Sequence, residues 1–279
     1  MNSESAPVWA SAEAAEVWRQ GAARRAQTLA QANQRLFEAA ALRPGMRVLD
    51  LAAGTGEQSI LAARIVGPRG WVLATDISAT MLAGAADAAR QAGLSNIEIR
   101  VTDAAQLEIS EGSFDAAICR FGLMFMPDLQ VVLERVRRGL KSDARFAALV
   151  WSTADRNPWI ALQVDLVTEM GRMPASPPSI LRSISLGAPG ALERALIDAG
   201  FQDVSTSPVA TPRQFASVDE AIQAMRSASP ARGELTRGMT DAELEHYERE
   251  LARRLAEYAQ PDGRCVLPGE AILGAGRRP

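Results

Sequence analysis

Between residues 47 and 151 short apolar runs alternate with longer helix-forming stretches, and this rhythm limits the possible folds more than any other feature. The runs are RVLDLA (47–52), WVLATD (71–76), IEIRVTD (97–103), FDAAICRF (114–121) and RFAALVW (145–151). They are apolar on both faces, as strands covered by helices on both sides must be. Between them lie EQSILAARIV (57–66), SATMLAGAADAARQAG (78–93) and PDLQVVLERVRRGL (127–140), rich in helix formers, with Ser78 placed as an N-cap. The spacing predicts an α/β fold, a doubly wound and mostly parallel sheet.

Ahead of this block, alanine-rich residues 10–41 predict one or two helices, stopped by Arg43-Pro44-Gly45. The division expected is an N-terminal helical segment, 1–44, before a main domain, 45–279. After Trp151 the rhythm breaks, and 152–186 reads as an irregular, partly helical insertion. Residues 187–201 resume a helix and QDVSTSPVA (202–210) is a sixth strand. A second insertion, 212–262, predicts two helices. The first opens on a capping box, Ser217 with Glu220. The second carries Leu244, Tyr247, Leu251, Leu255 and Tyr258 at helical spacing, supported by Glu245–Arg249 and Glu250–Arg254 pairs. The tail, 263–276, holds two short strand-like runs around Pro268. Insertions after the fifth and sixth strands can reach the ligand edge of such a sheet as helical lids, and their apolar stripes make a homodimer conceivable.

The charges nearly balance, 30 Lys and Arg against 33 Asp and Glu, without a basic tract, so nucleic-acid binding gains no support. Cys119 and Cys265 have neither metal spacing nor a disulfide framework, which fits buried thiols in a reducing compartment and a cytoplasmic protein without a metal. The N-terminal stretch contains acidic residues and no continuous apolar run, so neither a signal peptide nor a membrane anchor is expected.

The turn after the first run reads Ala52-Ala53-Gly54-Thr55-Gly56-Glu57-Gln58-Ser59. A dinucleotide-binding turn requires a third glycine where Ser59 stands, and a pyrophosphate at the helix start wants positive potential. Glu57 and Asp50 oppose that. The same carboxylates suit S-adenosylmethionine, which has an ammonium, a sulfonium, a ribose diol and an adenine, and no phosphate. Small residues at 52, 54 and 56 admit its methionine portion. Asp50 can take the ammonium, directly or through water. Asp76 is placed for the ribose hydroxyls and Asp103 for the adenine amino group, with the Ala104 amide donating to the ring. Each carboxylate can alternatively cap a helix or turn.

VLDLAAGTGE, ATDIS, VTDAAQL and FDAAICRFGLMFMPD together resemble the ordered motifs of class I S-adenosylmethionine-dependent methyltransferases, in the small-molecule branch that includes the ubiquinone/menaquinone type. The resemblance covers roughly residues 45 to 151. It implies cofactor contacts from Asp50, Ala52, Gly54, Gly56, Asp76, Ile77, Met81, Asp103, Ala104, Arg120 and Phe121, with S-adenosylhomocysteine as product. It also implies a Rossmann-like sheet of seven strands whose last is antiparallel. In that strand order Cys119 and Cys265 lie on non-adjacent strands. Two positions depart from the family: Ala52 replaces its usual first glycine, and KSDARF (141–146) stands where a Pro-Gly-Gly turn is common.

The function expected is in-line methyl transfer to a small, fairly apolar acceptor. Its alternatives are a nicotinamide-dependent oxidoreductase and a non-catalytic S-adenosylmethionine-binding protein. Candidate acceptor-pocket residues are Trp18, Phe121, Leu123, Met124, Phe125, Trp151 and Trp159, although a Met/Phe run also fills ordinary cores. His246, the single histidine, falls largely off the apolar stripe of its helix, so no general base is evident.

Overall fold

The apolar runs become strands β1 (Arg47–Leu51), β2 (Trp71–Asp76), β3 (Ile97–Val101), β4 (Phe114–Arg120) and β5 (Leu140–Trp151), all mutually parallel. They are followed by β6 (Gln202–Ala210), the short β7 (Arg213–Phe215) and β8 (Cys265–Leu267), and β9 (Glu270–Arg277). The main sheet has seven strands in the order β3-β2-β1-β4-β5-β9-β6, with β9 antiparallel to both neighbours. This is the mixed doubly wound architecture expected. The structure is a computed structural model describing residues 16, 18, 21–174, 178–227 and 230–279. Positions 10–15, 17, 19 and 20 of the predicted N-terminal helix, 175–177 of the first insertion and 228–229 of the second lie outside the described residues.

The helices are α1 (Ala22–Thr28), α2 (Ala30–Ala39), α3 (Glu57–Val66), α4 (Ala79–Gln91), α5 (Leu129–Gly139), α6 (Pro158–Glu169), α7 (Ser179–Arg182), α8 (Ala191–Asp198), α9 (Val218–Ser227), α10 (Pro230–Thr236) and α11 (Asp241–Leu255). Ser78 caps α4, its hydroxyl accepting from the Met81 amide at 3.3 Å. Val48, Leu49, Leu51, Ile118, Phe146 and Leu149 in the central strands are essentially inaccessible. At about 1.5–3 kcal/mol for each large apolar side chain buried, such residues dominate the sheet's stability.

Three local expectations change. KSDARF follows α5 without a break, since β5 starts at Leu140, but residues 141–144 bulge out of the ladder: pairing with β4 jumps from Leu140 to Arg145, and Asp143 has φ 63°. The second insertion holds three helices rather than two, because α10 forms between the two predicted ones. Cys265 is not on the main sheet: β7 and β8 pair with each other in a separate two-stranded sheet, and both thiols are buried and free.

The two insertions share one apolar core. Ile160, Leu166 and Val167 of α6, Ile180 of α7, Phe215 of β7, Ile222 of α9, and Tyr247, Leu251 and Leu255 of α11 meet in it, separate from the core of the sheet. Of the stripe predicted along α11, Tyr247, Leu251 and Leu255 are buried in this core and Tyr258 packs against it, while Leu244 lies outside it. The predicted ion pairs along α11 also re-sort. Glu250 pairs with Arg253, and Arg254 reaches across to Glu169 of α6. The predicted capping box of α9 closes one residue early: Ser217 accepts from the Glu220 amide, but Glu220 accepts from Ala216 rather than Ser217. Among the described residues no helix is long and apolar enough to cross a membrane, and no cluster of three His, Cys, Asp or Glu side chains is gathered to hold a metal.

Candidate functional site

The sheet reverses its winding between β1 and β4, and ligands of doubly wound folds bind beyond the carboxyl ends of strands at such a switch point. The glycine turn leaves β1 there, and Phe121 follows β4 on the other side. Ala52 has φ 52°, Gly54 55° and Gly56 81°, so three of five turn residues take left-handed backbone. At Gly56 no other residue fits, because a Cβ would lie 2.7 Å from Ala85 Cβ of α4. Ala52 tolerates its conformation with a methyl group, and Gly122 makes the room: a Cβ on Gly122 would stand 2.4 Å from Ala52 Cβ.

The three strand-end carboxylates have different surroundings. Asp76 is half-buried and braces the turn, accepting from Gly54 N at 2.9 Å and Ser78 N at 2.8 Å. Burial raises its pKa, with the amide bonds opposing. Asp103 lies two residues beyond the end of β3 rather than on it, and accepts from the Ala105 amide at 2.9 Å. A carboxylate has about four acceptor positions, so both retain lone pairs for a ligand.

Asp50 corrects the sequence reading. It is completely buried, and the first turn of α3 folds over it, Ser59 Oγ donating to Oδ2 and Gln58 Nε2 to Oδ1 at 3.3 Å. It anchors the turn from beneath and presents no open face for an ammonium. Burial pushes its pKa up to about 7 against these hydrogen bonds. Ser59 thus has a structural reason to replace a third glycine: a glycine would leave the buried carboxylate short of a donor.

Glu57 corrects the electrostatic reading. It starts α3 between two guanidiniums, Arg25 of α1 and Arg120 at the end of β4, the latter at 2.8 Å. Its charge is neutralised locally, so it no longer argues against an anionic ligand. Arg120 also donates to Asn33 Oδ1 of α2 at 3.0 Å and has a side chain only 5% exposed, so it ties α2 to the turn instead of facing a ligand. Sequence reading missed this cluster because Arg25 and Glu57 lie 32 positions apart and Glu57 and Arg120 63.

Over the turn stand Trp18 and Met81. The ideal Cβ position of Gly54 lies 3.6 Å from Trp18 Nε1 and 3.8 Å from Met81 Sδ. The Arg25 guanidinium lies on the Trp18 ring at 4.1 Å. Clefts of about 410 Å3 open elsewhere, one along Leu107–Glu111 with Arg135 and Arg138, another along α2 with Ile65. Neither touches the turn. Beside Asp76, Ile77 is 46% exposed and Val101, in register with Asp76 on β3, is 53% exposed. Ala104 adjoins them after Asp103. Thr55 Oγ1, within the turn, is enclosed without a hydrogen-bond partner.

On the β4–β5 side the rings assemble. Phe121, strained at φ 58°, stacks on Trp151 at 4.0 Å and 8°, and Trp151 meets Trp159 edge-on at 5.3 Å. Asn157, wholly buried, fixes the lid entry by accepting from Trp159 Nε1 at 3.3 Å and the Glu270 amide at 3.2 Å. Arg213 of β7 lies over Trp159 at 3.9 Å and near Trp151 at 5.5 Å. Burial, then Arg24 and Arg25, lower its pKa to about 10, so it stays cationic at neutral pH. Met124 is buried, Phe125 half-buried, and Leu123 belongs to the core of the sheet. His246 is exposed on α11.

Residues 42–174 match the family model described as "Methyltransferase domain". Over 110 residues the chain is 42% identical to a 2-phytyl-1,4-naphtoquinone methyltransferase of Synechococcus elongatus, covering 39% of this chain and 47% of that one. Over 182 residues it is 30% identical to the nocamycin O-methyltransferase of Saccharothrix syringae, covering 61% and 64%. The chain thus spans about half the length of the first of these curated relatives and under two thirds of the second. A crystal structure of a SAM-dependent methyltransferase from Aquifex aeolicus shares the fold, with a TM-score of 0.54, 20% identity, and coverage of 68% of this chain and 88% of that one.

Proposed function

We propose that this chain, which carries a methyltransferase domain over residues 42–174, transfers a methyl group from S-adenosylmethionine to a small, fairly apolar acceptor. One observation carries the reading: at the switch point of the sheet, a left-handed Gly-x-Gly turn is braced by the Asp76 carboxylate beside two exposed apolar residues, Ile77 and Val101. The donor set fits the cofactor. The Thr55 hydroxyl lacks a protein partner, Asp76 and Asp103 keep acceptor positions, and Ile77 with Val101 offers an apolar surface to an adenine.

Roles follow from these positions. The backbone of Ala52, Gly54 and Gly56 lines the methionine portion, Asp76 accepts from the ribose hydroxyls, and Asp103 with Ala104 faces the adenine edge. Met81 packs beside the turn, and Phe121 stands at the reacting end. Asp50 and Arg120 act indirectly, through the turn and Glu57. When bound, the cofactor supplies an electrophilic methyl on sulfur; the acceptor's electron pair forms the new bond as the carbon–sulfur bond breaks, leaving S-adenosylhomocysteine. The protein aligns the acceptor and excludes water, using Phe121, Met124, Phe125, Trp151 and Trp159 as walls and Trp18 as a cover. No basic side chain is assigned, which suits an acceptor already ionised or reacting at carbon.

The domain division adopted is 1–44 and 45–279, with lid insertions at about 152–186 and 212–262. One relative's name points to a naphthoquinone and the other's to methylation at oxygen, and the stacked rings of Phe121 and Trp151 suit an aromatic acceptor nearby. Free buried thiols and balanced charge support cytoplasmic action on small molecules rather than nucleic acid. The test is incubation with methyl-labelled S-adenosylmethionine and, in parallel, hydroxynaphthalenes, protein extract and RNA. Label in a hydroxynaphthalene supports the reading; label only in protein or RNA overturns it.

A further inference from the structure

Arg213 lies against the aromatic cluster of Trp151 and Trp159 and has no role in the proposed chemistry. It projects from β7 onto the faces of Trp159 and Trp151. Its Nε is enclosed and has no hydrogen-bond partner, and among the described residues no carboxylate pairs with it. Its neighbours make that position worse, not better. Arg24 and Arg25 act on it as like charges, and each already has its own acid, Glu220 at 2.7 Å and Glu57. A guanidinium held in aromatic surroundings without an anion retains its full set of directed donors for one.

Trp151, 5.5 Å from the Arg213 guanidinium, stacks on Phe121, which directly follows β4 at the switch point. Through these rings Arg213 is linked to the β4 side of the switch point, where an acceptor would meet the reacting methyl. Cation–π contact alone accounts for a guanidinium lying on a ring, but does not account for an enclosed N–H without an acceptor.

Resting on the methyltransferase reading, we propose that the acceptor is a planar aromatic carrying an anionic oxygen, a carboxylate or an ionised ring hydroxyl, which Arg213 binds beside the half-exposed Trp159. Arg213 is then the specificity-determining residue of the lid. An anionic oxygen held there is also consistent with the absence of an assigned base.

The test uses the full chain saturated with S-adenosylhomocysteine and two probes of one shape, 2-naphthoate and 2-naphthamide, followed by quenching of tryptophan fluorescence. A hydrogen bond to a charged partner corresponds to roughly tenfold or more in affinity. The expected result is naphthoate binding at least about tenfold tighter than the amide, with that preference lost in Arg213→Met and partly restored in Arg213→Lys. Melting curves of both variants, with and without S-adenosylhomocysteine, show whether fold and cofactor site are intact. Equal binding of the two probes, no binding of naphthoate, or a preference that survives Arg213→Met in a protein that still binds S-adenosylhomocysteine overturns this proposal alone. Failure of the unmodified chain to bind S-adenosylhomocysteine overturns the methyltransferase reading, and this proposal with it.

Discussion

At residue 52 a methyl group occupies a left-handed backbone position, and the space it takes is returned by Gly122 across the site. The two positions should respond in opposite ways. Gly122→Ala forces two Cβ atoms together and should destabilise by about 1–3 kcal/mol. Ala52→Gly removes local strain but frees the unfolded chain, so its effect should stay within about 1 kcal/mol. Urea unfolding of both variants checks this. Asp50 supplies a pH signature. Its folded-state pKa, raised to about 7, lies above its unfolded value, so the native state holds the proton more tightly. Its contribution is full below about pH 4 and lost as the pH rises to about 7. Stability of the wild type relative to Asp50→Asn should thus fall across that interval, by at most roughly 4 kcal/mol, and flatten above it. A rise across the same interval would refute the enclosed, protonatable carboxylate. The strand-end acids were legible in the sequence as positions. Asp50's enclosure was not, because it depends on how Ser59 and Gln58 turn back over it.

At the scale of elements, the junction of α1 and α2 with α3 depends on one side chain. Glu57 pairs with both Arg25 and Arg120, and Arg120 in turn donates to Asn33. Replacing Glu57 by Gln leaves two guanidiniums facing each other with little solvent to screen them. Removing one partner of a fully buried pair costs about 3–5 kcal/mol, and Glu57 is 18% exposed, so a loss of roughly 2–3 kcal/mol is expected. Trypsin cleavage near Arg24 and Arg25 should accelerate in this variant, since among the described residues α1 keeps only the Arg24–Glu220 ion pair; unchanged cleavage and stability would show the cluster to be incidental. The inner strands β1, β2 and β4 and helices α3–α5 were readable because local periodicity and burial on both faces specify them, and the edge strands β3 and β6, half-exposed, from their spacing. The start of β5 was not. Lys141 to Asp143 are polar and exposed where pairing with β4 shifts and pairing with β9 has not begun, so local pattern gives no strand signal there.

Over the whole molecule, two large cores divide the labour, with a small cluster of Ala53, Ala74, Leu82 and Ala85 under the glycine turn. The sheet core positions the glycine turn and the strand-end acids, and the lid core, drawn from both insertions, positions Arg213 and the wall around Trp159. Sequence reading separated the two insertions because they lie some distance apart in the chain, and only tertiary packing joins α6 with α11. Lid residues such as Arg213 carry no motif, which is why the acceptor side was less legible than the cofactor side. The claim that ties both halves together is that the turn and Asp76 bind an adenosyl cofactor. Calorimetric titration of S-adenosylhomocysteine and NADPH into the intact protein and into Asp76→Ala tests it most directly. The account predicts binding of S-adenosylhomocysteine at one site per chain, weakened by about tenfold or more in a variant whose melting curve shows it folded, and no binding of NADPH. Binding of NADPH instead, or S-adenosylhomocysteine affinity unchanged by loss of the Asp76 carboxylate, would contradict it.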